Sequence, residues 1–579
     1  MAPATDPPVP VPEPVPGLVV GPLLRYADRT TATVWVETSG PAEMQVHGRS
    51  TRTFEVEGHH YGYLVVDELE PGTDVPYDVR LDGVRVWPRD DDPRPAPRLR
   101  TLPDGEPVDI VFGSCRADRP HEDPWTRTVD EHPDGVGVDA LQALALALQA
   151  GERALPDLLL MLGDQVYADE GVSPLVREKQ VERRGDSAPR GEVADFEEYT
   201  WLYRDSWTDP EVRWLLATVP SAMIFDDHDV RDDWNTSAAW RAEMARTPWW
   251  RPRITGAYMS YWLYQHLGNL PPERVRAEGV LDALHDEGGP ALRRYAELAD
   301  DEVDGGTLVR WSYGRDLGVA RLVVVDTRSG RVLDERRRAM LSDDEWELVE
   351  GFLCGDVPHL IVASSLPLVL ERSLHDLERW DGALTGGAWG RRFARLGERI
   401  RQGADLEHWA AFPASFDRLT RRLGEVASGR RGSAPSTVLV LSGDVHHSYV
   451  APLRFPSLPQ VRSSVVQVVS SPLRNALPRA VARGFAAAAS RPAAVVGRLL
   501  ARSVRLPPPE VEWDLTTGPL TGNGLGALSL SGREARLTLQ SAVMDSGGPR
   551  LVEVHRETFG AGGSGAGLPA SERMPSCPA

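Results

Sequence analysis

Two hydrophobic rhythms divide the chain. Over residues 17–103 apolar positions alternate in short runs. In "TATVWVET", Ala32, Val34 and Val36 share one face while Thr33 and Trp35 take the other, which is the period of a strand. "YGYLVVDEL" predicts a second strand. "LEPGTDVPYDVRLDG" turns at Pro71-Gly72 and enters a third, carrying Tyr77 and Val79. Beyond residue 104 the runs become wholly apolar. "VDIVFGSC", "LPDLLLMLGD", "VPSAMIFDDHD", "ARLVVVDTR", "HLIVASSLPLVL", "STVLVLSGDVHH" and "SSVVQVVSSP" each predict a buried strand. "DALQALALALQAG" predicts a helix, and Ser342 with Glu345 has the spacing of a capping box at the start of another. Buried strands interleaved with helices predict a layered α/β domain, a β-sandwich flanked by helices.

These rhythms imply an organisation. Residues 1–16 are proline-rich and predicted to be disordered or extended. Residues 17–103 resemble a fibronectin type III-like β-sandwich, with Tyr77 just beyond a corner as in such folds. Another all-β module is the alternative. Residues 104–556 form the α/β domain, with inserts near 171–198 (charged, glycine-containing, expected to be mobile) and 237–301 (Trp- and Arg-rich, mostly helical). Within the second insert, "PWWRP" at 248–252 reads as packing more readily than as a substrate wall. "NALPRAVARGFAAAASRPAAVVGRLLARSV" predicts an Ala/Arg helix pair broken near Pro492, its apolar face packed on the domain rather than on a membrane. "GALSLSGREARLTLQ" predicts a hairpin with a Ser-Gly turn. Residues 557–579 are predicted to be a disordered tail.

Composition narrows the function. The chain has 579 residues, too many for one core. Its net charge of -21 excludes the basic footprint that a nucleic-acid duplex requires. A small phosphorylated substrate or a phosphodiester stays possible, because a bound cation reverses the local field. Three cysteines, Cys115, Cys354 and Cys577, cannot build a disulfide scaffold. No run approaches the ~20 apolar residues of a membrane span. "MAPATDPPVPVPEPVPG" lacks the basic and apolar regions of a secretory signal, so a cytoplasmic location is expected, with export open if the start is misassigned. Oligomeric state is not readable.

Four apolar runs end in chemistry-bearing residues: Gly113-Ser114-Cys115-Arg116, Gly163-Asp164-Gln165-Val166-Tyr167, Asp226-Asp227-His228-Asp229 and Ser442-Gly443-Asp444-Val445-His446-His447. Each alone reads as a turn, an acidic loop or a buried cysteine. Together they read as one site, because layered α/β folds collect ligands beyond the C-terminal ends of their strands. Gly163 and Gly443 suit tight exits from those strands. Acidic tips pointing into one crevice repel unless cations lie between them. Carboxylate, phenolate and thiolate donors suit a trivalent iron, and carboxylates also suit a hard divalent ion.

The order GSC, GDxxY, DDH, DTR and GDxH resembles the alkaline phosphatase D family of calcineurin-like metallophosphoesterases, over about Val108 to Leu539. "HWAAFPASFDRLTRRL", residues 408–423, is similar to the family's helix before the GDxH strand. The resemblance implies a metallophosphoesterase-type fold and a phosphomonoesterase or phosphodiesterase activity. It implies metal ligation by Cys115, Asp164, Tyr167, Asp227, Asp444 and His446, with Asp164 shared between two ions. Those would be Fe3+ and a divalent ion, Ca2+ first, with Mg2+, Mn2+ or Zn2+ as alternatives. His228 would protonate the leaving oxygen, oriented by Asp229 or Asp226. Arg116 and Arg328, with Asp326 and Arg331 nearby in "DTRSGR", would face the phosphoryl group or form structural ion pairs. Ser364 or Ser365 stands where the superfamily usually has a further histidine, and His447 is spare. Two competing readings remain: a binding protein with a degenerate phosphatase domain, and a hydrolase with Cys115 as nucleophile.

Overall fold

The computed structural model describes residues 16–560, apart from 106, 170, 302–308 and 459. Of the ends expected to be disordered, 1–16 and 557–579, residues 1–15 and 561–579 lie outside the described residues. The N-terminal region is all-β. One sheet runs through Leu18–Ala27, Ala32–Thr38, His59–Val66 and Phe54–Val56, and a second through Arg49–Arg52, Glu43–Val46, Val79–Leu81 and Val84–Trp87. The alternation in "TATVWVET" has a structural meaning: Val34 and Val36 enter the sandwich core, whereas Trp35 joins the large core shared with the α/β region. The strand is therefore buried on both faces. Tyr77 likewise serves the junction, its phenol donating to the Ala217 carbonyl at 2.7 Å rather than to its own corner.

Two sheets form the α/β region. In the first, Val108–Gly113 pairs in parallel with Leu158–Leu162, which pairs in parallel with Ser221–Ile224. A C-terminal meander extends this sheet antiparallel, through Gly524–Ser531, Glu534–Asp545 and Gly548–Phe559. The last strand thus includes Glu557–Phe559, residues assigned above to the tail. In the second sheet Ala320–Val325, His359–Ser364, Thr437–Ser442 and Ser464–Val469 are parallel neighbours. Period-2 geometry sorts their side chains. Leu322, Val324, Ile361, Ala363, Leu439 and Leu441 face the core between the sheets. Val323, Val325, Leu360, Val362, Val438 and Val440 face a second core that includes Trp346, Phe416 and Leu423 from flanking helices. Each fully buried aliphatic stabilises the stack by about 1.5–3 kcal/mol.

Two local expectations change. The 171–198 insert carries a helix, Pro174–Arg184, capped by Ser173. Arg183 and Arg184 tie that helix to the buried Glu198. At Ser342 only half of the capping box forms: the serine hydroxyl accepts from Glu345 N–H, but the Glu345 carboxylate accepts from Ser312 N–H instead. "PWWRP" is packing: Trp250 is buried edge-on to Trp240, and Trp249 lies under Arg231 and Arg253.

Candidate metal centre

Parallel neighbours point their C-terminal ends the same way, so both sheets deliver their exit loops to one rim. Three ligand-type clusters form there: Cys115 with Asp164 and His446, Asp164 with Asp227 and His228, and Asp226 with Asp227 and Asp444, with ligand atoms within 4.8 Å of one another in each. Asp164 and Asp227 each belong to two clusters, which links the three. Tyr167 adjoins them, its ring 4.7 Å from that of His228, and Asn475 donates to its phenol at 3.0 Å.

The backbone at these tips is strained. Cys115, Asp164, Asp444 and His446 all have positive φ, between 52° and 67°. Side chains with a Cβ adopt this region at a cost of about 1–3 kcal/mol each, so four candidate ligands in one rim share a strained backbone. Of the two glycines, only Gly163 takes a positive φ, 104°. Gly443 answers to close approach, since a Cβ there would collide with Ser114 Oγ. A carboxylate holds the loops together: Asp229 accepts from the N–H groups of Asp164 and Asp226, both at 2.9 Å, and from Gln265 at 3.1 Å.

The electrostatics differ across the rim. Burial, with repulsion from Asp226, Asp227 and Asp229, pushes the Asp164 carboxyl well above its ordinary range although His228 opposes the shift. Burial likewise raises the Cys115 thiol and the Tyr167 phenol. It lowers His446 to about 4, which keeps that imidazole neutral and available as a donor. Asp164 Oδ1 is buried without a hydrogen-bond partner among the described residues. These anionic donors with a neutral imidazole fit a bound metal ion.

The third cluster, Asp226 with Asp227 and Asp444, already contains a cation. Arg328, with no exposed side-chain surface, pairs with Asp226 and Glu407 and with Asp227 and Asp444 at 3.1 and 3.3 Å. It is thus placed among candidate ligand carboxylates, not open to a substrate phosphoryl. Arg331 shares Glu407 at 3.1 Å. Arg116 is also buried, paired with Asp139 at 2.8 Å and donating to Ser206. For both, the ion-pair alternative describes the contacts. Asp326 caps its own loop, accepting from the N–H groups of Arg328 and Ser329.

His228 is oriented by Asp169, 2.9 Å from Nδ1, and not by Asp226 or Asp229. Burial opposes its charge, but Asp169 and Asp227 raise its pKa well above the ordinary value. His447 stands apart from the clusters, buried against Glu371 at 2.9 Å. Ser364 donates to the Leu366 carbonyl and Ser365 bonds Thr327, so neither hydroxyl is free. Sequence reading missed His408, which links Glu378 to Asp444 at 2.6 and 2.9 Å. It opens the "HWAAFPASFDRLTRRL" stretch; the helix itself begins later, at Pro413. Asn475 was missed too: besides holding Tyr167, its carbonyl lies 3.1 Å from His446 Nδ1.

Comparison with known proteins agrees with this geometry. Residues 145–296, which include Asp164, Tyr167, Asp169, Asp227 and His228, match the model of the PhoD-like phosphatase family. Residues 15–99 match a domain of unknown function, DUF7800, so the N-terminal sandwich acquires no role from its match. A solved structure of PhoD shares the fold, with a TM-score of 0.56 and 14% identity over 95% of this chain and 91% of that one. No curated protein matches the chain significantly. The chain therefore matches the PhoD-like phosphatase family, a family of phosphoester hydrolases, over residues 145–296, within a fold that is shared with PhoD.

Proposed function

We propose that the chain is a metal-dependent hydrolase of phosphomonoesters, phosphodiesters or both. The observation that carries this reading is the convergence of three linked ligand clusters at one rim. Cys115, Asp164, Tyr167 and His446 would hold Fe3+, which anionic sulfur and oxygen donors favour. Asp164, Asp227 and Asp444 would hold a divalent ion, Ca2+ by preference, with Mg2+, Mn2+ or Zn2+ as alternatives. Such ions lower the pKa of water and neutralise charge on a phosphoryl group.

The side chains have separable tasks. Asp169 engages His228 Nδ1, which leaves Nε2 to deliver a proton to the departing oxygen. The raised pKa keeps that proton on the ring at neutral pH, and general acids of this kind contribute about 10²–10⁴-fold. Asn475 fixes the Tyr167 phenol and the His446 ring together. Arg328 and His408 set the position of Asp444 from two sides. Cys115 does not suit a nucleophile's role, since burial disfavours its thiolate in the absence of a cation.

The test is elemental analysis of the purified protein, together with rates on one monoester and one diester. Iron, a divalent ion and chelator-sensitive turnover are expected. Tyr167→Phe should bleach phenolate-to-iron absorption. A colourless, iron-free protein whose activity survives both chelation and Tyr167→Phe would overturn the reading.

A further inference from the structure

Charge is unevenly spread along this acidic chain. From Val445 to Pro509 there is no aspartate or glutamate, yet there are nine arginines, in a protein of net charge -21. The helices Arg479–Ala488 and Arg491–Ser503 lie in this segment. They were expected to bury an apolar face, and they do not. The first has no buried residue, and the second buries only Gly497 and Ala501.

The reason is steric. Gly497 lies against Ser373 and Asp376 of the helix Arg372–Thr385, where a Cβ would already be tight. This small-residue contact turns the large aliphatics outward: Val495, Val496 and Leu499 are 46%, 57% and 57% exposed. The other end of the same supporting helix repeats the arrangement. Gly397 of the helix Arg391–Gly403 meets Asp381 and Thr385, while Phe393 and Leu396 are 46% and 47% exposed.

Basic residues accompany these apolar ones. Arg483, Arg491, Arg498, Arg502 and Arg505 are exposed, and none pairs with a carboxylate among the described residues. The same holds for Arg391, Arg392, Arg395 and Arg399. The segment is also anchored at the rim. Asn475 holds Tyr167 just before the first helix, and Phe485 within it lies 4.4 Å, ring to ring, from His447.

We propose that these helices dock the enzyme on an anionic lipid surface, with the metal rim beside the point of contact. Exposed aliphatics between unpaired arginines on outward-facing helices complement a sheet of negative headgroups over acyl chains. A soluble polyanion would engage the arginines but would not require the aliphatics. The net negative charge elsewhere opposes any other orientation at such a surface.

The test is cosedimentation of the full chain with vesicles of phosphatidylglycerol and phosphatidylcholine, against phosphatidylcholine alone, at low and high salt. Binding to the anionic vesicles only, weakened by salt, is expected. A combined Val495→Glu, Val496→Glu and Leu499→Glu variant should lose at least about tenfold in vesicle affinity. Its hydrolysis of a soluble nitrophenyl ester and its circular dichroism should match the wild type. The proposal is overturned if wild-type protein does not sediment with anionic vesicles, or if the variant binds them equally well. It is overturned also if heparin is bound as tightly as vesicles and the variant leaves both unchanged, which would mark a polyanion site. Failure here leaves the nitrophenyl activity intact, so it is distinguishable from failure of the hydrolase reading.

Discussion

The two halves of the candidate metal rim neutralise buried negative charge differently. Around Asp226, Asp227 and Asp444 the counter-charge belongs to the chain, as the guanidinium of Arg328. Around Cys115, Asp164 and Tyr167 no arginine or lysine forms an ion pair with Asp164 among the described residues; the His228 imidazole opposes the rise of Asp164 without cancelling it, and burial favours the protonated acid, thiol and phenol. A built-in cation makes a carboxylate cluster tolerable in the empty protein. A cluster whose nearest cation is only a titratable imidazole would depend more on an exchangeable ion, which would link its protonation to metal binding. The difference teaches which half carries the stricter metal requirement.

The largest effect should follow Asp164→Ala, since Asp164 belongs to clusters on both sides. Metal content should fall at both and turnover drop to background, by elemental analysis and steady-state rates. Retention of both ions would break the link between the halves. Next is Arg328→Ala, which leaves buried carboxylates uncompensated. Chelator-treated variant should lose about 3–5 kcal/mol in urea unfolding, and an added divalent ion should restore part of it. A variant as stable as the wild type would mean Arg328 is not the internal counter-ion. The smallest effect belongs to Asp169→Asn. Asp169 raises the pKa of His228, so its loss lowers that pKa, and the alkaline limb of the pH–rate profile should move to lower pH. Turnover near neutrality should fall by about 10–100-fold, as for other outer partners. An unmoved alkaline limb would remove Asp169 from the acid's support.

The same contrast explains what was legible. Strand identities followed from apolar runs, and the strand-end motifs followed from the strands, because period and burial are local properties of the chain. Cys115, Asp164, Asp227 and His446 were therefore found with their neighbours. Asp169, Glu407, His408 and Asn475 were not, since each sits in a loop with no periodic signal and acquires its partner only by folding. Tyr77 shows the limit from the other side: its corner was readable, but its partner Ala217 lies across a junction that alternation does not encode. The Ala/Arg helices were recognised as amphipathic, yet which face would be buried turned on Gly497 fitting against Ser373 and Asp376.

By itself the sequence determined the two-region architecture, the buried strands and the set of anionic tips, because hydrophobic patterning acts over a few residues. Only the tertiary structure decided which cation answers which anion. Arg328 meets Asp226 across 102 positions and Asp444 across 116. Coulomb energy depends on distance in space, and that distance is set by how two sheets stack rather than by any spacing along the chain.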